Sequence, residues 1–186
     1  MFLPLSRAID RLNDAIARLV GWALLAAVLI CSANALTRYA LNRSNNAWLE
    51  IQWYLFAALF MLASAHTLRR DEHVRIDLLT ARLPRRAQVW LDLFGLLLFL
   101  MPVSLLILYY GVPFAWLALR SGEMSANAGG LPLWPAKLLV PLGFALLVLQ
   151  GVSEIVKRIA FLAGKIDDSS FTRQPAPAGG ATRQAP

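Results

Sequence analysis

Cysteine appears once in these 186 residues and histidine twice. The lone Cys31 lies inside an apolar run, which excludes a disulfide framework and a cysteine-based zinc cluster. Charge is scarce as well: Asp, Glu, Lys and Arg make up 16% of the chain, against about a quarter in soluble globular domains. Hydrophobic residues supply 58%. A soluble domain of this length cannot bury that much apolar surface, so a bilayer must take up the difference. The net charge of +7 would suggest nucleic acid in a soluble protein. Here the basic residues, all arginine except Lys137, Lys157 and Lys165, flank hydrophobic runs instead. That placement points to membrane lipid headgroups and topology, with no nucleic acid partner.

Four uncharged stretches are present, Leu19 to Thr37, Ile51 to Leu68, Leu93 to Leu119 and Leu138 to Ser153. Each can supply the roughly 20 helical residues that cross a hydrocarbon core. The expected fold is an all-α membrane protein with four transmembrane helices, near 17–38, 47–69, 86–119 and 131–158. Together they form a domain over 1–166, followed by a disordered tail over 167–186 that is rich in Pro, Ala and Gly. Pro84 stands where a proline can open a helix, because its missing N–H is not needed there. A helix from Pro84 to Leu119 would be about 54 Å long. It is expected to protrude from the membrane and to bend near Pro102 or Gly111–Pro113. Ala33-Asn34-Ala35 has the form of a signal-peptidase site, but the apolar run before it is long for a signal and three more spans follow, so the first segment reads as a retained helix.

Upstream of the first span, Leu5, Ile9, Leu12, Ile16 and Leu19 recur at three and four residues, while Arg7, Asp10, Arg11 and Asp14 occupy other faces. This predicts an amphipathic helix that lies at the surface or leads into the span. Basic residues set the orientation. The N-terminus, the second loop and the C-terminal segment carry fourteen, whereas the other side has only Arg38, Arg43, Arg120 and Lys137. Both termini are therefore expected in the cytoplasm. Arg69, Arg70, Arg75, Arg85 and Arg86 are the expected headgroup anchors on that side. Trp22 and Trp90 fall near cytoplasmic span ends, and Trp48, Trp53, Trp116 and Trp134 near outer ones, as an aromatic belt requires.

The stretch HTLRRDEHVRIDLL, His66 to Leu79, concentrates the residue types of chemistry. His66 and His73 are seven apart, about two turns, and do not readily chelate one ion; Asp71 and Glu72 diverge on a helix. No third histidine or second cysteine completes a site. The stretch reads instead as a membrane boundary, with Ile76, Leu79 and Leu83 making an interfacial cytoplasmic helical turn before Pro84. His66, about one turn inside that boundary, is expected to hydrogen-bond between helices. Glu50, Lys137 and Glu154 sit near span ends, where a charge normally reaches for water, and none is central. Gln150 lies one turn from Glu154. The loop RSGEMSANAGGLPLWPAK, with Arg120, Glu123 and Lys137, is polar and suited to meet a partner on the outer face.

NAWLEIQWYLF, LRRDEHVRIDLL and GLPLWPAKLLVPLGFALLVLQGVSEIVKRI, in that order, resemble the small membrane subunit of tripartite ATP-independent periplasmic (TRAP) transporters, the DctQ-like permease. The similarity runs from about Leu12 to Leu162 and includes Trp48, Glu50, His73, Val74, Asp77, Pro141, Gly143, Phe144 and Gln150. One departure is Ser64-Ala65-His66, where commoner small subunits often carry glycine. The resemblance implies a bacterial inner-membrane location, a large permease subunit that moves the solute along an ion gradient, and a periplasmic solute-binding protein that delivers it. It implies a helical brace for the large subunit, no enzyme and no cofactor. Glu50, Arg120, Glu123 and Lys137 become candidate contacts to subunit or binding protein. Two other readings stand beside it: a stand-alone homo-oligomeric channel or carrier, and an intramembrane enzyme using His66 and His73.

Overall fold

The computed structural model describes residues 3–41, 46–70 and 84–164. Its helices are α1 (Leu3–Leu41), α2 (Asn46–Arg70), α3 (Arg85–Gly95), a π-helical turn (Leu96–Leu100), α4 (Met101–Ser121) and α5 (Trp134–Leu162). The stretch Arg85–Ser121 is one continuous rod, and with α1, α2 and α5 it makes four helices long and apolar enough to cross a membrane. Among the described residues, extended pairing is confined to one isolated bridge, Met124 with Pro132. The interfacial turn expected over Ile76 to Leu83 and the tail over 167–186 lie outside the described residues.

The amphipathic segment at the start leads into the first span without a break. At 1.5 Å per residue the 39 residues of α1 reach about 58 Å, well beyond a hydrocarbon core. Its inward face is the unexpected one. Ser6, Asn13, Val20, Ala27 and Asn34, a strict seven-residue repeat, are buried together with Asp10, while Leu5, Leu12 and Leu19 are 58%, 47% and 73% exposed. In water the leucines would have gone inside. Within the span, outward residues such as Leu25 and Leu29 have no reason to turn in, because acyl chains solvate them as well as a protein interior does; Leu5 and Leu12 precede the span and flank the polar seam. Small and polar groups gain most from facing another helix, and a seven-residue repeat keeps them on one seam.

Helix α5 is the hub. It packs against α1, α2 and α4, whereas α4 makes its extensive interhelical contact with α5 alone. A third of the most apolar window of α5 is buried (33%), against 11–17% in the other spans. Glycine permits this. A Cβ built on Gly143 would sit 2.7 Å from the Met61 carbonyl oxygen, so α2 and α5 approach backbone to backbone there. Gly111 of α4 lies against Pro141 of α5 in the same way, at ordinary contact distance.

Pro84 starts the rod in an extended conformation (φ −60°, ψ 146°), and its carbonyl accepts the amides of Ala87 and Gln88. Near Pro102, one of the two places where a bend is expected, the rod carries a π turn over Leu96–Leu100, one residue ahead of the proline. Proline cannot donate to the preceding turn and its ring crowds the carbonyl four residues back, so a wider turn accommodates it. Gly122, in the left-handed region at φ 61°, ends α4 and gives its amide to Ala118. Helix α5 begins at Trp134 rather than near Leu131, because Ser125 and Leu131 pair and the Leu133 amide bonds the Glu123 carbonyl.

Candidate functional site

Polar side chains gather at the two ends of the bundle. At the end where α1 begins and α5 finishes, Gln150, Ser153, Glu154, Lys157 and Arg158 form a stripe at three- and four-residue spacing on α5, and all five are buried. Ser6, Asp10 and Asn13 of α1 face them. Asp10 Oδ1 accepts from Gln150 Nε2 (3.0 Å), Ser153 Oγ (3.1 Å) and Lys157 Nζ (3.1 Å). Ser6 Oγ lies 2.6 Å from Ser153 Oγ, and Asn13 Nδ2 donates to Gln150 Oε1 at 2.7 Å. Glu154 accepts from Gln150 (3.0 Å) and Lys157 (2.7 Å) through one oxygen and from Arg158 (2.5 Å) through the other. Arg158 also reaches Asp92 of α3 at 3.7 Å.

Helix α2 closes this cluster. His66 Nδ1 lies 2.9 Å from Asp14 Oδ1, which is the interhelical hydrogen bond expected of it. Arg69 pairs with Asp14 and lies 3.7 Å from Asp10. The cluster thus sets four carboxylates against three cations and an imidazole. A buried charge is tolerable only when paired and hydrogen-bonded, and here the pairing draws on every long helix of the fold. Glu154 does not reach for water as a span-end charge was expected to; it is 1% exposed. Arg69, one of the expected headgroup anchors, is half-buried in the network, while Arg70, Arg85 and Arg86 are exposed at helix ends. Arg75 and His73 lie outside the described residues.

At the opposite end a single carboxylate organises a loop. Glu50, in the first turns of α2, is 3% exposed. One oxygen accepts from the Ser125 hydroxyl and from Asn127 Nδ2 (2.9 Å), and the other from the Leu131 amide (2.6 Å). Asn46 Nδ2 donates to the Ala128 carbonyl at 3.0 Å, and the Tyr54 hydroxyl to that of Pro132 at 2.9 Å. A side chain on Gly130 would collide with Ser125 and Glu50, so glycine is needed for the loop to close over the carboxylate. Nearby, Lys137 pairs with Glu123 at 2.5 Å and lies over the Phe114 ring. Arg120 stacks on Trp116 with its guanidinium carbon 4.9 Å from the ring centre. Of the four candidate contact residues, Glu50 is therefore turned into its own subunit, Glu123 and Lys137 hold each other, and Arg120 is exposed.

Between the two ends the spans are uncharged: Leu19 to Thr37, Ile51 to Ala65, Leu93 to Leu119 and Leu138 to Ser153. An apolar groove of about 380 Å³ runs between α4 and α5, lined by Leu108, Val112, Trp116, Trp134, Leu138 and Leu142 among others. Among the described residues no three of His, Cys, Asp and Glu converge in a way that could hold a metal ion. The arrangement can brace helices and fix a loop.

No curated protein matches the chain. The family model described as "Tripartite ATP-independent periplasmic transporters, DctQ component" matches residues 27–161. That match takes in the loop cluster and the α5 stripe, and leaves out Ser6, Asp10, Asn13 and Asp14, which complete the other network. Since it covers well over half of the sequence, the chain belongs to the DctQ family, the small membrane component of TRAP transporters.

Proposed function

We propose that this multi-pass inner-membrane protein is a static brace for the large permease subunit, which carries solute along an ion gradient after a periplasmic binding protein delivers it. Both termini face the cytoplasm in this reading, so the Asp10–Glu154–Lys157 cluster lies at the cytoplasmic end and the Glu50 loop at the periplasmic end. The positive-inside bias supports that orientation. The single observation that carries the brace reading is the placement of charge. Among the described residues, buried ionisable groups stand only at the two ends, engaged within the subunit, and an uncharged seam closed by Gly143 against Met61 separates them. A carrier working alone would need polar groups along its path. In this reading Glu50 holds the loop, and Arg120 and Glu123 present it to a partner. Arg70, Arg75, Arg85 and Arg86 anchor headgroups.

Co-expression with the large permease tests the proposal. The two chains are expected to co-purify, and deletion of this one is expected to abolish uptake. Failure to co-purify together with unaffected uptake would sink it, as would solute flux through liposomes that contain this chain alone.

A further inference from the structure

The face of α4 turned away from α5 carries polar groups at a depth where lipid has nothing to offer them. Ser104, Gly111, Ala115 and Ala118 form the buried side of this helix. On the other side Pro102, Leu106, Tyr109 and Pro113 recur at alternating four- and three-residue spacing, continued by Trp116, which also edges the groove against α5, and by Arg120, and all six are exposed. Along the rod Tyr109 lies about 25 Å from Asp92 and about 16 Å from Arg120. In a hydrocarbon core about 30 Å thick, that is close to the middle.

Tyr109 and its neighbour Tyr110 are 73% and 63% exposed, with their rings in edge contact at 5.2 Å. Neither hydroxyl has a hydrogen-bond partner among the described residues. Tyrosine normally sits at the headgroup belt, where water meets its hydroxyl. In hydrocarbon an unpartnered hydroxyl is costly, and only another protein surface relieves it. Pro113 adds a second unmet need, because it has no N–H to give to the Tyr109 carbonyl. At the outer end of the same stripe Arg120 stacks on Trp116 and makes no ion pair among the described residues. The outward mid-span residues of the other helices differ. Leu25, Val28 and Leu29 of α1 and Phe56 and Phe60 of α2 are hydrocarbon, which acyl chains solvate fully, and the exposed polar groups there, Cys31 and Ser32 of α1, are small.

We infer that this stripe of α4 is the surface on which the large permease subunit docks. Polar groups on its helices meet the Tyr109 and Tyr110 hydroxyls, and a carboxylate beyond them meets Arg120. The inference rests on the brace reading and names its interface.

The test places the photo-crosslinker p-benzoylphenylalanine, one position at a time, at Tyr109, Tyr110, Leu29 and Phe60 in the co-expressed complex. Crosslinks to the large subunit are expected from the first two positions, and lipid adducts alone from the last two. Crosslinks from Leu29 or Phe60 with none from the tyrosines overturn the interface and leave the brace reading intact. Lipid adducts or a second copy of this chain at Tyr109 and Tyr110, in a complex that still co-purifies, do the same. Failure of the large subunit to co-purify removes the brace reading itself. Combining Tyr109→Phe with Tyr110→Phe, which keeps shape and removes only the hydroxyls, should lower recovery of the complex from detergent about tenfold. Recovery at the wild-type level would overturn the hydroxyl argument.

Discussion

The two ends of the bundle use carboxylates in opposite ways. At the end bearing the termini, Asp10 and Glu154 are surrounded by Lys157, Arg158, Arg69 and one another's hydrogen-bond partners, on α1, α2 and α5 at once. At the loop end, Glu50 meets neutral donors from one short segment among the described residues. A charge balanced by charges ties whole helices together, and losing one member strands the others. A charge solvated by amides and a hydroxyl shapes a loop, and losing it releases that loop alone. The first arrangement should therefore report in global stability and the second in local opening.

Lys157→Met should break the comparison most strongly at the termini end. It leaves Asp10 and Glu154 buried without their shared cation, a loss of about 3–5 kcal/mol. Thermal unfolding in detergent is the measurement. Adding Asp10→Asn to that variant should restore part of the loss, since Asp10 is the carboxylate left without a close cation while Glu154 keeps Arg158; no restoration would mean that packing, not charge balance, holds the cluster.

Gly143→Ala probes the seam between the ends. The new methyl group meets Met61 backbone, which cannot swing aside, so α2 and α5 must separate at a cost of about 1–3 kcal/mol. An unchanged midpoint would show that the helices are not that close.

Glu50→Gln should be milder and confined to one place. One amide oxygen can still accept, but the amide nitrogen cannot accept the Leu131 N–H. Exchange of the Ser125 and Leu131 amides should quicken about tenfold while the unfolding midpoint stays put. A fall in the midpoint would make the two ends alike. Glu123→Gln should be smallest, about 0–1 kcal/mol, because its pair with Lys137 is partly exposed.

The span pattern was legible in the sequence because hydrocarbon length is a hard constraint: the helix ends at Leu41, Arg70 and Ser121 fall within three residues of the expected span ends, though α1 begins far upstream and α5 runs on to Leu162. The His66 hydrogen bond was legible too, since a polar ring inside a span has few other uses. The termini-end cluster is harder to read, although its signal is in the sequence. Gln150, Ser153, Glu154, Lys157 and Arg158 trace one face of a helix, and Ser6, Asp10 and Asn13 trace another. The aqueous rule for amphipathic stripes turns leucine inward, and it fails where a polar seam of one helix packs on a polar seam of another. The role of Glu50 was hidden for a different reason. Its partners lie 75 to 81 residues away in a loop with no periodicity to announce them.

The Asp10–Lys157 pair also bears on how the protein is made. The two residues are 147 positions apart, so the carboxylate emerges from the ribosome long before its ammonium partner. Until α5 inserts, Asp10 and Asn13 have no buried companions on that helix, and the start of α1 carries an uncovered polar seam. Arrival of the last helix satisfies that seam. A chain cut short before Gln150 thus carries an unmet polar surface, a chemical mark by which membrane proteases could tell unfinished copies from finished ones.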